Sequence, residues 1–189
     1  MKRRGLLVVI SSPSGGGKTT IIKKVLGKAD NDFVYSISAT TRAKRPTEEH
    51  GRDYYFISLN EFKAKRRRRE FLEWAEVHED YYATPKASVE NWLESGKLVL
   101  LDLDVDGGLQ VKKKHKDALL IFVHPPSFNS LIDRLKERKT ETEKEIKKRL
   151  ERYPKEIKKS EHYDYQIVNE NLEETTRRIL QIINNRYNE

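Results

Sequence analysis

Apolar residues along this chain fall into short unbroken runs, each ending in a polar or glycine-rich cluster, with helical stripes between them. Residues 6–10 (LLVVI), 98–103 (LVLLDL) and 119–123 (LLIFV) are such runs. A strand buried on both faces has no polar side to alternate with, so these runs predict strands of a sheet covered above and below by helices. Shorter strands are expected at 34–38 and 165–168. Helices are expected at 18–26, where Ile21, Ile22, Val25 and Leu26 share a face, and from Ser127 onward, with Leu131 and Leu135 turned inward. A last helix spans 172–187, where Leu172, Thr176, Ile179 and Ile183 recur at helical spacing. This alternation predicts an α/β fold with a doubly wound, mainly parallel sheet.

Two stretches interrupt it. Residues 38–90 offer short strands at 54–57 and 71–77 (FLEWAEV) around a helix at 60–69, and read as a small α+β insertion. The core is then 1–37 together with 91–189. Residues 134–152 (RLKERKTETEKEIKKRLER) are charged with few apolar anchors, and such a segment is expected to be mobile unless it grips something.

The first run leads into S-S-P-S-G-G-G-K-T-T at 11–20, so the order is strand, glycine-rich loop, helix. Backbone N–H groups at a helix start form an anion site, and glycines let the backbone wrap a phosphate without Cβ clashes. Lys18 is placed to reach a terminal phosphate and the Thr19 hydroxyl to sit on Mg²⁺. The pattern G-x-x-x-x-G-K-[ST] wants glycine at position 12, where this chain has Ser12. A glycine-rich turn with a surface lysine is the plainer alternative. Further on, Arg42 and Arg45 lie three apart in a polar segment, where two forked guanidiniums suit one phosphate.

Composition narrows the classes. A chain of 189 residues suits one compact domain with insertions, and the lack of cysteine excludes disulfides and thiolate metal sites, which is compatible with the cytoplasm. No segment approaches the ~18 apolar residues of a membrane span. Lys2, Arg3 and Arg4 precede an apolar run too short for the roughly 7 to 15 residues of a secretory signal. A net charge of +8 favours anionic partners. Its densest source is the KRRRR run at 65–69, which reads as a solvated helix face before a nucleic-acid contact.

The motifs, taken together, carry a family resemblance. They are S-P-S-G-G-G-K-T at 12–19, T-T-R-A-K-R-P at 40–46, E-x-x-G-x-D-Y-x-F at 48–56 and F-L-E-W-A at 71–75. Y-Y-A-T at 81–84, L-D-L-D at 101–104, P-P-S at 125–127, R-L-x-x-R at 134–138 and I-V-N at 167–169 follow in order. The chain resembles the guanylate kinases, P-loop enzymes that move the γ-phosphoryl group of ATP onto GMP. The resemblance implies that Arg42, Arg45, Tyr54 and Tyr82 bind the GMP phosphate, that Glu73 and Asp104 meet the guanine base, and that Ser38 and Thr84 lie near its carbonyl. On the ATP side it implies a loop of Ser12, Pro13, Ser14, Gly15, Gly16 and Gly17 with Lys18, Thr19 and Thr20. Asn169 becomes an adenine-side contact, and Asp102 holds Mg²⁺ through water. Arg134, Arg138 and Arg149 become lid arginines, counted with Lys18 and Arg45 as catalytic.

Each role has a plainer alternative: Glu73 as a solvent-facing strand residue, Asp102 or Asp104 as a helix cap, a lid arginine as a surface ion pair. Four positions depart from the family's usual pattern: Ser12, Ala83, Asp106 and Lys139. Ser12 is tolerable if its φ is negative, Asp106 would add negative charge near the metal, and Lys139 would stiffen a lid hinge. The expectation is therefore a cytoplasmic enzyme, monomer or homodimer, that uses ATP, Mg²⁺ and GMP or dGMP and has no nucleic-acid or membrane partner. The 38–90 insertion and a lid at about 138–152 are expected to close over the substrates. A non-catalytic scaffold of the same fold is the rival reading, disfavoured by Lys18, Thr19 and the arginines.

Overall fold

A computed structural model describes residues 5–29, 32–77, 79–137 and 143–188. The chain begins β1 (Leu6–Ser11), α1 (Lys18–Lys28), β2 (Phe33–Tyr35), β3 (Ala39–Thr40), β4 (Tyr55–Phe56), α2 (Leu59–Arg67), β5 (Phe71–Val77) and β6 (Asp80–Pro85). It continues α3 (Lys86–Glu94), β7 (Leu98–Asp102), α4 (Val105–Lys114), β8 (Leu119–His124), α5 (Phe128–Glu137), α6 (Glu143–Ser160), β9 (Tyr165–Val168) and α7 (Leu172–Asn188).

Five strands form one sheet in the order β2-β7-β1-β8-β9, and every neighbouring pair is parallel. Successive side chains on a strand point to opposite faces. Leu6, Val8 and Ile10 accordingly pack against α1 and α7 through Ile21, Ile22, Val25, Ile179 and Ile183. Leu7 and Val9 face the other way, onto Val89 and Leu93 of α3 and Val105 and Val111 of α4. With both faces filled, β1 is buried along its whole length. Each such Leu, Ile or Val contributes about 1.5–3 kcal/mol relative to leaving it exposed, which is why the run carries no polar residue.

The second sheet is smaller and mostly antiparallel, in the order β4-β3-β6-β5, with β3 and β4 as its parallel pair. It has its own core, in which Phe62 of α2 stacks on Phe71 and Tyr81 with ring centroids 5.2 and 4.7 Å away. Helix α2 is opened by Ser58, whose hydroxyl accepts from the Glu61 N–H at 3.1 Å.

Several elements go beyond the sequence reading. The expected strand at 34–38 is the three-residue β2, and the helix at 60–69 is α2. β6, α3 and α4 were not anticipated at all. Gly107 and Gly108 disguise α4, since glycine is the poorest helix former after proline. The helix forms because Asp104 caps it, its Oδ1 accepting from the Gly107 N–H at 2.7 Å. The charged stretch begins in the last turn of α5 and continues in α6, whose apolar residues Ile146, Leu150, Tyr153 and Ile157 recur at four, three and four residues, one face of a helix. Tyr153 meets Phe128 of α5, with ring centroids 5.0 Å apart. Arg138 and Lys139 lie outside the described residues.

Tyr163 ties the two ends of the core together. Its hydroxyl lies 2.8 Å from Ser11 Oγ and donates to the Val105 carbonyl at 3.2 Å, and burial pushes its pKa upward, so it stays protonated. A Cβ on Gly108 would sit 2.0 Å from that oxygen. Alanine is the better helix former by about 1 kcal/mol, so in open space Gly108→Ala would stabilise. Here overpacking against a fixed ring predicts a net loss on the order of 1–3 kcal/mol. The loss is read as a lower denaturant midpoint, and it should shrink when Gly108→Ala is combined with Tyr163→Phe.

Candidate active site

In a doubly wound sheet, ligands bind beyond the carboxyl ends of strands whose following helices leave on opposite faces. β1 and β7 meet that condition, because α1 packs on one face and α4 on the other. The loop after β1 turns through Gly15 and Gly17, at φ 89° and 88°. A side chain on Gly15 would also strike Leu135 Cδ2 of α5 at 2.7 Å, so the back of the loop is closed. Ser12 is buried, is not among the positive-φ residues, and donates its hydroxyl to the Pro13 carbonyl at 3.2 Å. No left-handed geometry calls for glycine there. Helix α1 starts at Lys18 with no side-chain cap and no acidic residue in its first turn, which leaves its dipole turned toward the loop.

Lys18 spans from this loop to β7. Its ammonium donates to Asp102 Oδ1 at 2.6 Å and to the Leu103 carbonyl at 2.7 Å. A hollow of about 190 Å³ runs along residues 12–19 and reaches Asp104, Arg152 and Glu156. It adjoins a second hollow of about 310 Å³, which shares Lys18, Thr19, Val77 and Asp104 with it. The two make one continuous cleft.

The far end of the cleft is lined by Ser38, Tyr54, Glu73 and Tyr82. Glu73 on β5 is 3% exposed, not solvent-facing, and accepts a hydrogen bond from Thr84 Oγ1 at 2.7 Å. Burial pushes its carboxyl up to about 7; the Thr84 hydrogen bond opposes this and the charge of Asp104 adds to it. Asp104 is both the helix cap and a cleft residue. Tyr54, pushed up to about 12 by burial, and Tyr82 lie edge to face with centroids 5.9 Å apart.

Arg42 stands beside them, its guanidinium carbon 5.6 Å from the centre of the Tyr54 ring. Its Nη2 donates to both oxygens of Glu48, at 2.7 and 3.0 Å. That hydrogen bonding raises the pKa of Arg42 and lowers that of Glu48. Arg45 is exposed; its backbone N–H donates to Glu48 Oε2 at 2.9 Å. Behind the loop, Arg134 Nη1 donates to the Gly16 carbonyl at 3.4 Å, while Arg149 Nη1 of α6 donates to Ser14 Oγ at 2.6 Å and also lines the acidic end of the cleft.

Other candidates lie away from the cleft lining. Thr20 is exposed, one residue further along α1, and its N–H donates to the Gly17 carbonyl at 3.1 Å. Thr84 is buried behind Glu73. Asn169 is buried at the end of β9, where its N–H donates to the His124 carbonyl at 2.9 Å and its Oδ1 has no hydrogen-bond partner among the described residues. Asp106 does not lie loose near a metal position, because Lys159 of α6 holds it at 2.6 and 2.8 Å.

Three cleft participants went unread in the sequence. Tyr35 lines the cleft from the end of β2, and Arg152 and Glu156 approach the loop from α6. Glu156 Oε2 accepts from the Ser14 N–H at 3.3 Å. The helical stripe of α6 was the available signal for the last two. As to metals, no group of three or more His, Cys, Asp or Glu gathers among the described residues. The Thr19 hydroxyl and the Asp102 carboxylate do share the Lys18 end of the cleft. That donor set fits a hydrated Mg²⁺, which keeps waters and takes its remaining ligands from substrate phosphates.

Comparison with known proteins agrees with this geometry. The family model described as guanylate kinase matches residues 4–186. A guanylate kinase of Thermotoga maritima is 47% identical over 95% of this chain and 86% of its own length. One from Streptococcus thermophilus is 45% identical over 97% and 88%. A crystal structure of guanylate kinase from Anaplasma phagocytophilum superimposes with a TM-score of 0.80 at 35% identity, covering 97% of this chain and 87% of that one. With the family model spanning nearly the whole sequence and the same fold in a solved relative, the chain belongs to the guanylate kinase family.

Proposed function

We propose that this protein transfers the γ-phosphoryl group of ATP to GMP, giving ADP and GDP, in the cytoplasm as part of purine nucleotide recycling. The observation that carries the reading is one continuous cleft with a phosphate loop at one end and the buried Glu73 carboxylate at the other. Guanine presents N1–H and N2–H₂ on its pairing edge, and an ionised carboxylate only accepts, so Glu73 selects it over adenine. Asp104 supplies a second acceptor beside it. Ser38 is the hydroxyl left to meet the base carbonyl, since Thr84 is engaged with Glu73.

No general base is needed. The second pKa of a phosphate monoester is about 6, so the GMP phosphate is largely dianionic at neutral pH and is itself the nucleophile. The difficulty is to bring two polyanions together, and the positive charge around the cleft addresses it. Lys18, Arg134 and Arg149 surround the donor loop, with Arg138 assigned to the same lid. Arg42 and Arg45 serve the acceptor phosphate with Tyr54 and Tyr82. Arg42 can do so while paired with Glu48, because a guanidinium has five donors in all. The loop 12–17 with Thr20 cradles the donor phosphates, and Asn169 serves the adenine side. Thr19 and, through water, Asp102 would hold Mg²⁺, which when bound neutralises phosphate charge. Water has to be excluded, so the 38–90 insertion and the 138–152 segment approach each other over the substrates.

A coupled ADP-release assay with GMP, dGMP, AMP, UMP and CMP tests the proposal; turnover is expected with GMP and dGMP, and none with GMP would overturn it. Lys18→Ala should lower turnover by about 10²–10³-fold while GMP still binds. The reverse pattern would exchange the two ends of the cleft.

Glu73 predicts two pH effects. Below about 7 its carboxyl is protonated and presents a donor to guanine's donors, so the KM for GMP should rise as pH falls through 7. Glu73→Gln should lack that inflection and keep only the one near 6 from the phosphate. For stability the sign is opposite. A folded pKa raised above the unfolded value of 4.5 favours the fold at low pH and loses that contribution as pH rises through 7. Glu73→Gln should therefore stabilise the protein at pH 8, on the order of 3 kcal/mol, with the gain vanishing near pH 4 in denaturant titrations.

A further inference from the structure

Strand β5 has two faces, and the proposed reaction uses only one. Glu73, Ala75 and Val77 line the active cleft. Phe71, Leu72 and Trp74, where the register of the strand is irregular, line a separate hollow of about 590 Å³ that shares no residue with the cleft. Cations reach it from three separate elements: Arg66 and Arg69 from the end of α2, Lys86 from the start of α3, and Lys114 from the end of α4. Glu90, 3.5 Å from Lys86, is the one carboxylate in its lining among the described residues. Part of the KRRRR run that the reaction leaves unused thus has a definite location.

Helix stabilisation accounts for only half of these charges. Arg66 and Lys114 occupy last turns, where the helix dipole favours a cation. Lys86 instead opens α3, at the positive end of a helix with no acidic residue in its first turn and no side-chain cap. Its pairing with Glu90 runs in the less favourable order, lysine before glutamate. Arg69 lies beyond α2 at φ 57°, a conformation that a long side chain rarely adopts. The strained turn brings it into the same hollow as Arg66. The Arg66 guanidinium carbon lies over Trp74, 4.0 Å from the ring centre, a cation–π contact that anchors its charge beside the hollow.

We propose that this hollow is a second anion site, separate from the active cleft, that takes a compact oligophosphate, either inorganic or as the tail of a nucleotide. Guanidiniums suit phosphate oxygens bidentately, and lysines add point charge around the rest of the group. The Trp74 ring already carries the Arg66 guanidinium and Leu72 is buried, so the phosphate groups are the part of the ligand that the hollow recognises. A concave hollow favours a small ligand over an extended nucleic-acid strand, which needs a groove that continues.

The test is calorimetric titration of the intact protein with tripolyphosphate, repeated on Lys18→Ala and on Arg66→Gln/Arg69→Gln. A binding event that persists in Lys18→Ala and weakens at least about tenfold in Arg66→Gln/Arg69→Gln is expected. Lys86→Gln should weaken it as well, and turnover with ATP and GMP should be unchanged in both of these variant proteins. An ATP arm, run on Lys18→Ala, separates the two sources: an equal midpoint assigns the site to bare oligophosphate, a tighter one to a nucleotide. No event surviving in Lys18→Ala, or an event indifferent to the arginine and lysine substitutions, overturns the site. Binding of a single-stranded RNA oligonucleotide without any tripolyphosphate event overturns it in favour of nucleic acid.

Discussion

Parallel strands that lie side by side must finish side by side, and the geometry of this protein follows from that constraint at β1 and β7. Ile10 pairs with Asp102, so the chain leaves both strands at the same level of the sheet. One exit becomes the phosphate loop and α1; the other becomes Asp102, Asp104 and α4. Lys18 bridges the gap by holding Asp102 and the Leu103 carbonyl. The apolar runs that look like mere core filling therefore set the register in which the chemistry stands.

Legibility in the sequence tracked how local each cause was. The runs of β1, β7 and β8 were readable because burial on both faces leaves a local mark. Helix α4 was not, because its stability comes from the Asp104 cap and its tolerance of glycine from the Tyr163 ring, which approaches from far along the chain. The cleft shows the same division. Lys18, Glu73 and Tyr82 sit in short motifs and were named, and the structure gathers them around one cavity. Glu48 stands within a motif, but its hold on Arg42 leaves no local mark, and Glu156 lies beyond the charged 134–152 stretch, where no element is expected from the sequence. Asp106 is instructive in the same way. Its charge looked like an addition to the cleft, yet it is consumed by Lys159 on another helix.

The smaller sheet accommodates a carboxylate at 3% exposure that sits poorly in an apolar setting. Its own core is compact: Phe62 stacked between Phe71 and Tyr81, with Trp74 edge-on. The Thr84 hydroxyl donates to Glu73 and keeps the acceptor from swinging out to water. A group held with incomplete compensation gains most from a ligand that completes it, so the unfavourable burial of Glu73 and its proposed selectivity are two aspects of one arrangement.

The margins of the sheets bear on how copies of the molecule meet one another. β2 has three residues and β4 has two, and β9 offers four, with Tyr165 and Val168 turned to solvent at 44% and 49% exposure. A strand edge recruits another chain by presenting a long flat row of backbone donors and acceptors. None of these three edges is long enough to hold a foreign strand firmly, and the fourth, the seven-residue β5, lies against α4, whose Gln110 and Lys114 side chains donate to the Trp74 and Leu72 carbonyls. Strand addition from a second copy therefore meets short or covered edges among the described residues, and the net charge of +8 opposes its approach.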